Sequence, residues 1–207
     1  MYKRQAPIWV DESGQNRIIV IPGANDLIDG SLAIEALEKI GKPDVLVGQF
    51  EIPMNVNEQV FSYAYKNGVK TVLNPAPANK PSDILLQNTS WFIPNEIEFE
   101  EIYGDIFNEN NLLLFAKNVD TNVVVTLGEK GCAYIENNSV KIIKADSVKA
   151  IDTTGAGDAF VGAFSFALAS KLDIEECLKL ALKKATDSVT KKAVSYTHLR
   201  AHETSQH

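Results

Sequence analysis

Residues 150–170 of the chain read AIDTTGAGDAFVGAFSFALAS, which places two glycines and an aspartate directly before an apolar run. The run 159–169 is typical of a buried helix, which itself requires no flexible entrance. A helix that begins near Ala156 has unpaired N–H groups and the positive end of its dipole at that point. Because Gly155 and Gly157 lack bulk, an anion could approach those N–H groups closely.

Two interpretations of this stretch compete. One is an ordinary Gly-rich turn in which Asp158 merely favours the helix N-terminus. The other is an anion site with Asp158 beside a bound phosphate. The helix is almost wholly apolar, so we expect it to be buried, and buried N–H groups require partners. This expectation favours the anion site.

Composition limits the class of protein. With 207 residues and 45% hydrophobic content, the chain can form a packed core. Its net charge of −7 disfavours nucleic acid as a partner, whereas small phosphates remain possible. Cys132 and Cys177 form no metal-ligand pattern and predict reduced thiols in a cytoplasmic protein. No run approaches the roughly 20 apolar residues of a membrane span, and residues 1–10 lack the long apolar stretch of a secretory signal.

Both ends of the chain differ from the composition between them. Residues 1–5 and 194–207 resemble translated sequencing-adapter tails, and the second contains all three histidines. We therefore predict that both ends are non-native and that 6–193 is the genuine domain. A natural His-rich tail that binds metal is the alternative for the C-terminal end.

Between the ends, strand-like and helical patterns alternate. The strand-like runs are 17–23, 44–50, 70–76, 90–95 and 122–128. The helical stretches are 31–40, 55–67, 82–88, 96–103 and 109–118. A hairpin about Asn137–Asn138 is predicted over 131–145, followed by helices over 156–170 and 173–192. Because the strands are unbroken apolar runs, we predict one α/β unit with three α/β/α layers and a mostly parallel sheet.

Ligands of such sheets bind at the carboxyl edge, where strands end and loops begin. Five loops with unusual residues are predicted to meet at that edge. They are GQFEIP (48–53), NPAPAN (74–79), IPNEIE (93–98), TLGEKG (126–131) and DTTGAGD (152–158). We therefore predict a ligand site formed by several of them.

The stretch DTTGAGDAFVGAF (152–164) resembles the C-terminal signature of the ribokinase-like sugar kinases, the PfkB family. NPAPA, IPNEIE and TLGEKG precede it in the order and spacing of that family, and the resemblance spans 6–193. It implies a ribokinase-like fold. It also implies an incomplete kinase domain that lacks the Gly-rich N-terminal segment and the β lid of the family.

The resemblance implies roles for the GAGD residues. In the family this aspartate, here Asp158, is the catalytic base, and it takes the proton from the sugar hydroxyl that attacks the γ-phosphate of ATP. The N–H groups around Gly155, Ala156 and Gly157 would form the anion hole. Phosphoryl transfer depends mainly on such positioning and charge stabilisation.

The resemblance implies further ligand-binding residues, each with a simpler alternative. Asn95 would lie near the phosphates and Glu98 would hold Mg²⁺ through water, although the same spacing is a helix capping box. Glu51 would bind the sugar hydroxyls, or be a solvated loop residue. Asp152 and the Thr154 carbonyl would hold K⁺, or Asp152 would only cap the turn. A further loop would contact the nucleotide, although an ordinary hairpin-entry turn is the alternative. Its residues are Thr126, Leu127, Gly128, Glu129, Lys130 and Gly131.

Taken together, the resemblance implies phosphorylation of D-ribose to ribose 5-phosphate, with ATP, Mg²⁺ and an activating K⁺. The full-length protein is expected to be a homodimer, and the 207-residue chain alone to be inactive. Another kinase of the family, acting on fructose, a deoxyribose or a nucleoside, is the first alternative. A non-catalytic nucleotide-binding module is the second.

Overall fold

The computed structural model describes residues 8–10, 16–18 and 21–191 of the chain. The predictions for the two ends, 1–5 and 194–207, lie outside the described residues. Side chains are described for 21–191.

The first two strands form a small sheet of their own. Strand β1 (Ile8–Val10) pairs antiparallel with β2 (Asn16–Ile18), and a 3-10 turn follows over Gly23–Leu27. Arg17 and Ile18, the described residues at the start of the predicted strand 17–23, therefore lie in this small sheet and not in the parallel one. A short connection brings β1 and β2 together at a small entropic cost, and this local partner satisfies the backbone of β2 without a crossover.

Within the described residues, the main sheet has six strands, and its spatial order is its chain order, from β3 to β8. The strands are β3 (Val45–Gln49), β4 (Lys70–Asn74), β5 (Trp91–Phe92), β6 (Asn122–Thr126), β7 (Cys132–Glu136) and β8 (Ser139–Ile143). β3 to β6 are parallel, whereas β7 and β8 form the predicted antiparallel hairpin. Asn137 and Asn138 have φ of 50° and 59° between these two strands. Positive φ at both central residues is the requirement of a tight hairpin turn, and asparagine tolerates it.

Seven helices are found in the described part of the chain. They are α1 (Gly30–Ile40), α2 (Met54–Lys66), α3 (Asp83–Gln87), α4 (Glu96–Tyr103), α5 (Glu109–Val119), α6 (Ala156–Ala169) and α7 (Ile174–Val189). Because the parallel strands follow one another in a single direction, right-handed crossovers place α2 to α5 on the same face. α6 and α7 come after the hairpin and pack together on the opposite face. None of these helices is long and apolar enough to cross a membrane.

Each face of the sheet has its own hydrophobic core, which confirms the three predicted layers. Val72 and Leu73 are adjacent in β4, and their side chains enter opposite cores because side chains alternate along a strand. On the side of α6 and α7, the ring of Phe164 packs edge-on against Trp91 at 5.2 Å between centroids. The other core is rich in aromatic residues, namely Phe61, Phe92, Phe99 and Phe115.

Both cysteines lie in the core between the sheet and α6 and α7, with no exposed surface. Burial raises the pKa of the Cys132 thiol to about 12, and burial also raises the pKa of Cys177. Very little of the Cys132 thiol is then in the thiolate form at pH 8, and the thiolate is the reactive form. We expect neither thiol of the native protein to be labelled by a thiol reagent within minutes, whereas both react in urea. Rapid labelling of one thiol without denaturant would contradict this burial.

Candidate active site

The ends of the parallel strands meet at one edge, as the sequence predicts. Gln49 ends β3 and pairs in register with Asn74, which ends β4. Asn95 follows β5 and forms an isolated parallel bridge with Thr126, the last residue of β6. The loops that follow these strands are therefore neighbours at the carboxyl edge.

α6 begins at this edge and packs over β3 and β4. Gly155 is its N-cap residue, with φ of 78°, a left-handed conformation that favours glycine. The N–H of Ala156 donates to the carbonyl of Thr153 at 3.2 Å. In the described part of the chain, the N–H groups of Gly157 and Asp158 have no acceptor, and both residues are exposed. A ligand can therefore reach these donors.

The expectation that α6 is buried holds for one face of the helix and is wrong for the other. Phe160 and Phe164 are buried, but Phe166 on the other face is 67% exposed. An apolar composition reveals that a helix can be buried, but not which of its faces a neighbour covers. Buried N–H groups therefore do not support an anion site here. The N–H groups that support one, those of Gly157 and Asp158, are open to solvent.

A chain of side-chain amides joins Asp158 to the sheet. Nε2 of Gln49 lies 3.0 Å from Oδ1 of Asp158 and 2.8 Å from Oδ1 of Asn74. Nδ2 of Asn74 in turn donates to the carbonyl of Ile93 at 2.9 Å. The sequence interpretation assigned no role to Gln49, although this residue lies in the GQFEIP loop (48–53) from which Glu51 was selected. Its place at the end of an apolar strand was the signal that could have indicated it.

Asn95 and Glu98 form the capping box that the sequence leaves open as an alternative. Oδ1 of Asn95 accepts from the N–H of Glu98 at 2.8 Å, and Oε2 of Glu98 accepts from the N–H of Asn95 at 2.8 Å. Glu98 is only 8% exposed. Burial raises the pKa of its carboxyl above the ordinary value of 4.5. The negative charge of Glu101 also raises this pKa, whereas the hydrogen bond from the N–H of Asn95 lowers it.

This raised pKa predicts how stability depends on pH. The folded state binds the Glu98 proton more tightly than the unfolded chain does. The protonated carboxyl therefore stabilises the folded state fully below pH 4.5. This stabilisation is lost as the pH rises through the pKa of Glu98 in the folded state. Glu98→Gln keeps an oxygen acceptor for Asn95 but carries no charge. We expect Glu98→Gln to raise Tm at pH 7.5, by an amount that decreases toward pH 4.5.

Thermal unfolding of both proteins across this pH range measures the effect. Glu109, which is exposed in the first turn of α5, supplies the matched control Glu109→Gln. A Tm difference between Glu98→Gln and wild type that does not change with pH would contradict the burial effect.

The loop 126–131 is held against α4. The N–H of Thr126 donates to the carbonyl of Pro94 at 3.0 Å, and the N–H of Leu127 donates to the carbonyl of Gly131 at 2.8 Å. Leu127 is buried, whereas Gly128 and Glu129 are exposed. Nζ of Lys130 lies 3.6 Å from a carboxylate oxygen of Glu96, so this lysine is directed toward α4. The loop is both a hairpin entry and a neighbour of Asn95.

The remaining predicted residues lie in loops at the same edge. Oδ1 of Asp152 accepts from the N–H of Thr154 at 2.9 Å, which is the turn-capping geometry of the alternative interpretation. The carbonyl of Glu51 accepts from Nδ2 of Asn25 at 2.9 Å. Within the described residues, no three His, Cys, Asp or Glu side chains come together as a metal cluster.

The fold and this edge define a class of protein. They combine a mostly parallel α/β sheet, open helix N–H groups and a neighbouring carboxylate, as in α/β proteins that bind phosphorylated ligands. A family model described as pfkB family carbohydrate kinase matches residues 4–200. The chain belongs to this family.

Individual relatives agree with this assignment. The chain is 35% identical over 176 residues to ribokinase of Lactococcus lactis, covering 85% of this chain and 57% of that protein. It is 38% identical over 191 residues to ribokinase of Haemophilus influenzae, covering 89% and 62% respectively. The chain thus spans about three fifths of the length of these relatives.

Solved structures show the same architecture. Ribokinase of Thermotoga maritima superposes with a TM-score of 0.80 at 32% identity, over 91% of this chain and 63% of that one. Ribokinase of Arabidopsis thaliana, solved with ribose and ATP, gives a TM-score of 0.79 at 28% identity, over 91% and 64%. The chain therefore has the ribokinase-like fold that the sequence predicts.

Proposed function

We propose that the full-length protein containing this segment transfers the γ-phosphate of ATP to D-ribose and forms ribose 5-phosphate. One observation carries the proposal most directly. The Asp158 carboxylate lies in the first turn of α6, beside N–H groups that have no acceptor within the described residues. A base and an anion-binding N-terminus at one point are what phosphoryl transfer to a hydroxyl requires.

In the proposed reaction, Asp158 accepts the proton of the sugar hydroxyl as its oxygen attacks phosphorus. The N–H groups around Gly155, Ala156 and Gly157 bind the phosphoryl oxygens and stabilise their negative charge, and the N–H of Ala156 would have to exchange the Thr153 carbonyl for phosphate to take part. They are rigid donors because α6 packs against the sheet through buried side chains. A site arranged in advance in this way loses little free energy to reorganisation during the reaction.

The nucleotide would lie along the neighbouring loops. Asn95 and the loop 126–131 would bind the phosphates and ribose of ATP. Glu98 fits Mg²⁺ only through water, because its carboxylate is almost buried and Oε2 already accepts from Asn95. Mg²⁺ usually keeps several waters, so one carboxylate suffices. When bound, the ion would neutralise charge on the phosphate oxygens.

The other ligand roles complete the proposal. Glu51 would accept hydrogen bonds from the sugar hydroxyls, and Asp152 with the Thr154 carbonyl would hold K⁺ below the anion hole. Cytoplasmic location is consistent with two cysteines that are free and buried. We also propose that the full-length protein is a homodimer and that the 207-residue chain alone is inactive.

The similarity to one relative supports deoxyribose as a second candidate substrate. The chain is 32% identical over 199 residues to deoxyribokinase of Salmonella typhi, covering 93% of this chain and 65% of that protein. Deoxyribose lacks the 2-hydroxyl of ribose, so the two sugars differ in one hydrogen-bonding group. The sugar therefore has to be identified by assay.

The test is an ATP-dependent kinase assay on the full-length protein with ribose, 2-deoxyribose, fructose and adenosine. We expect the highest kcat/KM with ribose and ribose 5-phosphate as the product. A higher kcat/KM with any other acceptor would reject ribose as the substrate. No transfer to any of the four would reject the proposed activity. Transfer by the 207-residue chain would reject only its proposed inactivity.

A further inference from the structure

Gln49 is the side chain that connects the Asp158 carboxylate to the sheet. Its Nε2 is within hydrogen-bond distance of two acceptors, Oδ1 of Asp158 at 3.0 Å and Oδ1 of Asn74 at 2.8 Å. The amide has two N–H bonds, so it can donate to both at once. Gln49 thereby joins an exposed carboxylate on α6 to an asparagine that is 8% exposed.

The direction of this hydrogen-bonded chain is fixed at its buried end. The carbonyl of Ile93 can only accept, so Asn74 must direct its amide nitrogen toward it, at 2.9 Å. Oδ1 of Asn74 then faces Gln49, which must present its own nitrogen. Any other amide orientation would leave a buried polar atom without a partner, which is unfavourable. Asp158 therefore always meets a donor from Gln49.

The position of Gln49 is also fixed. Nδ2 of Asn57, a residue that is 2% exposed, donates to the carbonyl of Gln49 at 2.8 Å. The preceding Gly48 is in contact with α2 so closely that an added Cβ would lie 2.5 Å from the Phe61 ring. The end of β3 is thus held between α2 and β4, and Gln49 presents its amide from a rigid support.

The alternative position for the Asp158 side chain is at its own helix. A carboxylate in the first turn is attracted to the open N–H groups and to the positive end of the dipole. If Asp158 turned toward them, it would occupy the donors that the phosphoryl group needs. The hydrogen bond from Gln49 directs the carboxylate toward the strand ends instead.

We propose that Gln49 is a positioning residue, which holds Oδ1 of Asp158 so that Oδ2 faces the sugar hydroxyl and the α6 N–H groups stay available to phosphate. This inference rests on the proposed role of Asp158 as the base. It assigns to Gln49 no contact with the reacting atoms. Its effect should therefore be on kcat, with little effect on nucleotide binding.

Gln49→Met tests the proposal, since methionine has a similar length and no N–H donor. In the full-length protein we expect kcat to fall about tenfold or more, because small displacements of a reacting group can lower rates by up to about 10²-fold. KM for ATP should stay within about twofold. Gln87→Met, at an exposed position of α3, is the matched control and should retain wild-type kcat.

Coupling to Asp158 separates positioning from a general structural role. Adding Gln49→Met to Asp158→Asn should lower kcat by no more than about twofold, because the base is already lost. A full tenfold loss in that background would overturn the positioning role. If Gln49→Met keeps the wild-type kcat while Asp158→Asn is inactive, the positioning role of Gln49 is overturned and the proposed function stands. An active Asp158→Asn would instead overturn the role of Asp158 as the base, and with it the role of Gln49, while the proposed sugar kinase activity would stand.

A second readout does not require activity. Three-bond NMR couplings of the Asp158 side chain should indicate one rotamer in wild type and in Gln87→Met, but averaging among rotamers in Gln49→Met. A single unchanged rotamer in Gln49→Met would overturn the proposal. If Gln49→Met does not fold, Gln49→Leu, which also lacks a donor and adds no charge beside Asp158, replaces it in both measurements.

Discussion

Asp158→Asn in the full-length protein is expected to lower kcat for sugar phosphorylation by about 10²- to 10⁴-fold, the usual contribution of a general base. Asparagine has the shape of aspartate, and its Oδ1 can still accept from Nε2 of Gln49, 3.0 Å away in the wild-type protein. The substitution therefore removes the proton acceptor while preserving the local hydrogen bonding. Steady-state kinetics with saturating ATP and sugar measure the loss.

Nucleotide affinity distinguishes loss of the base from loss of the fold. The α6 N–H groups and the loop 126–131 are unchanged in Asp158→Asn, so calorimetric titration should give a Kd for ATP within about threefold of wild type. Asp83→Asn is the matched control, because Asp83 is also an exposed aspartate in the first turn of a helix. A kcat reduced less than tenfold in Asp158→Asn would show that Asp158 is not the base.

The parts of the fold that the sequence predicts well are those where local chemistry determines the structure. α4 spans Glu96–Tyr103, as predicted, because Asn95 caps its start and Gly104 ends it in the left-handed conformation. The hairpin about Asn137–Asn138 follows for the same reason, since these residues accept positive φ. In both cases the determining residues are adjacent in sequence.

The errors arise where a distant partner determines the outcome. The run 17–23 is apolar enough for a parallel strand, but β2 pairs with β1, and composition does not encode the choice of partner. Phe166 belongs to an apolar helix and yet is 67% exposed. Burial depends on which elements cover each helix face, and this is a property of the assembled fold.

The candidate site shows the same limit. Motifs identify Asp158 and Asn95 because each lies in a distinctive local pattern. Gln49 reaches Asp158 across 109 positions of sequence, through the register of β3 with β4 and the packing of α6 above them. Lys130 carries a charge that suits phosphate, but the fold of its loop places it near Glu96. Side-chain direction in a loop is set by such neighbours.

Gly131→Ala is expected to destabilise the protein by about 2–5 kcal/mol, because it combines backbone strain with a backbone clash. Gly131 has φ of 104°, and an added Cβ would overlap the carbonyl oxygen of Ile143 and lie 2.8 Å from the N of Ala145. Both neighbours are backbone atoms of β8 and the segment that follows it, so they cannot move aside as a flexible side chain can.

Gly128→Ala provides the matched control within the same loop. Gly128 also has positive φ, at 57°, but an added Cβ there meets no atom within 4 Å. Its substitution should therefore cost only the left-handed strain, about 1–2 kcal/mol. Urea-induced unfolding of both variants measures the difference. Equal destabilisation would show that strain alone requires glycine at 131, whereas a larger loss in Gly131→Ala indicates that β8 packs against the loop 126–131.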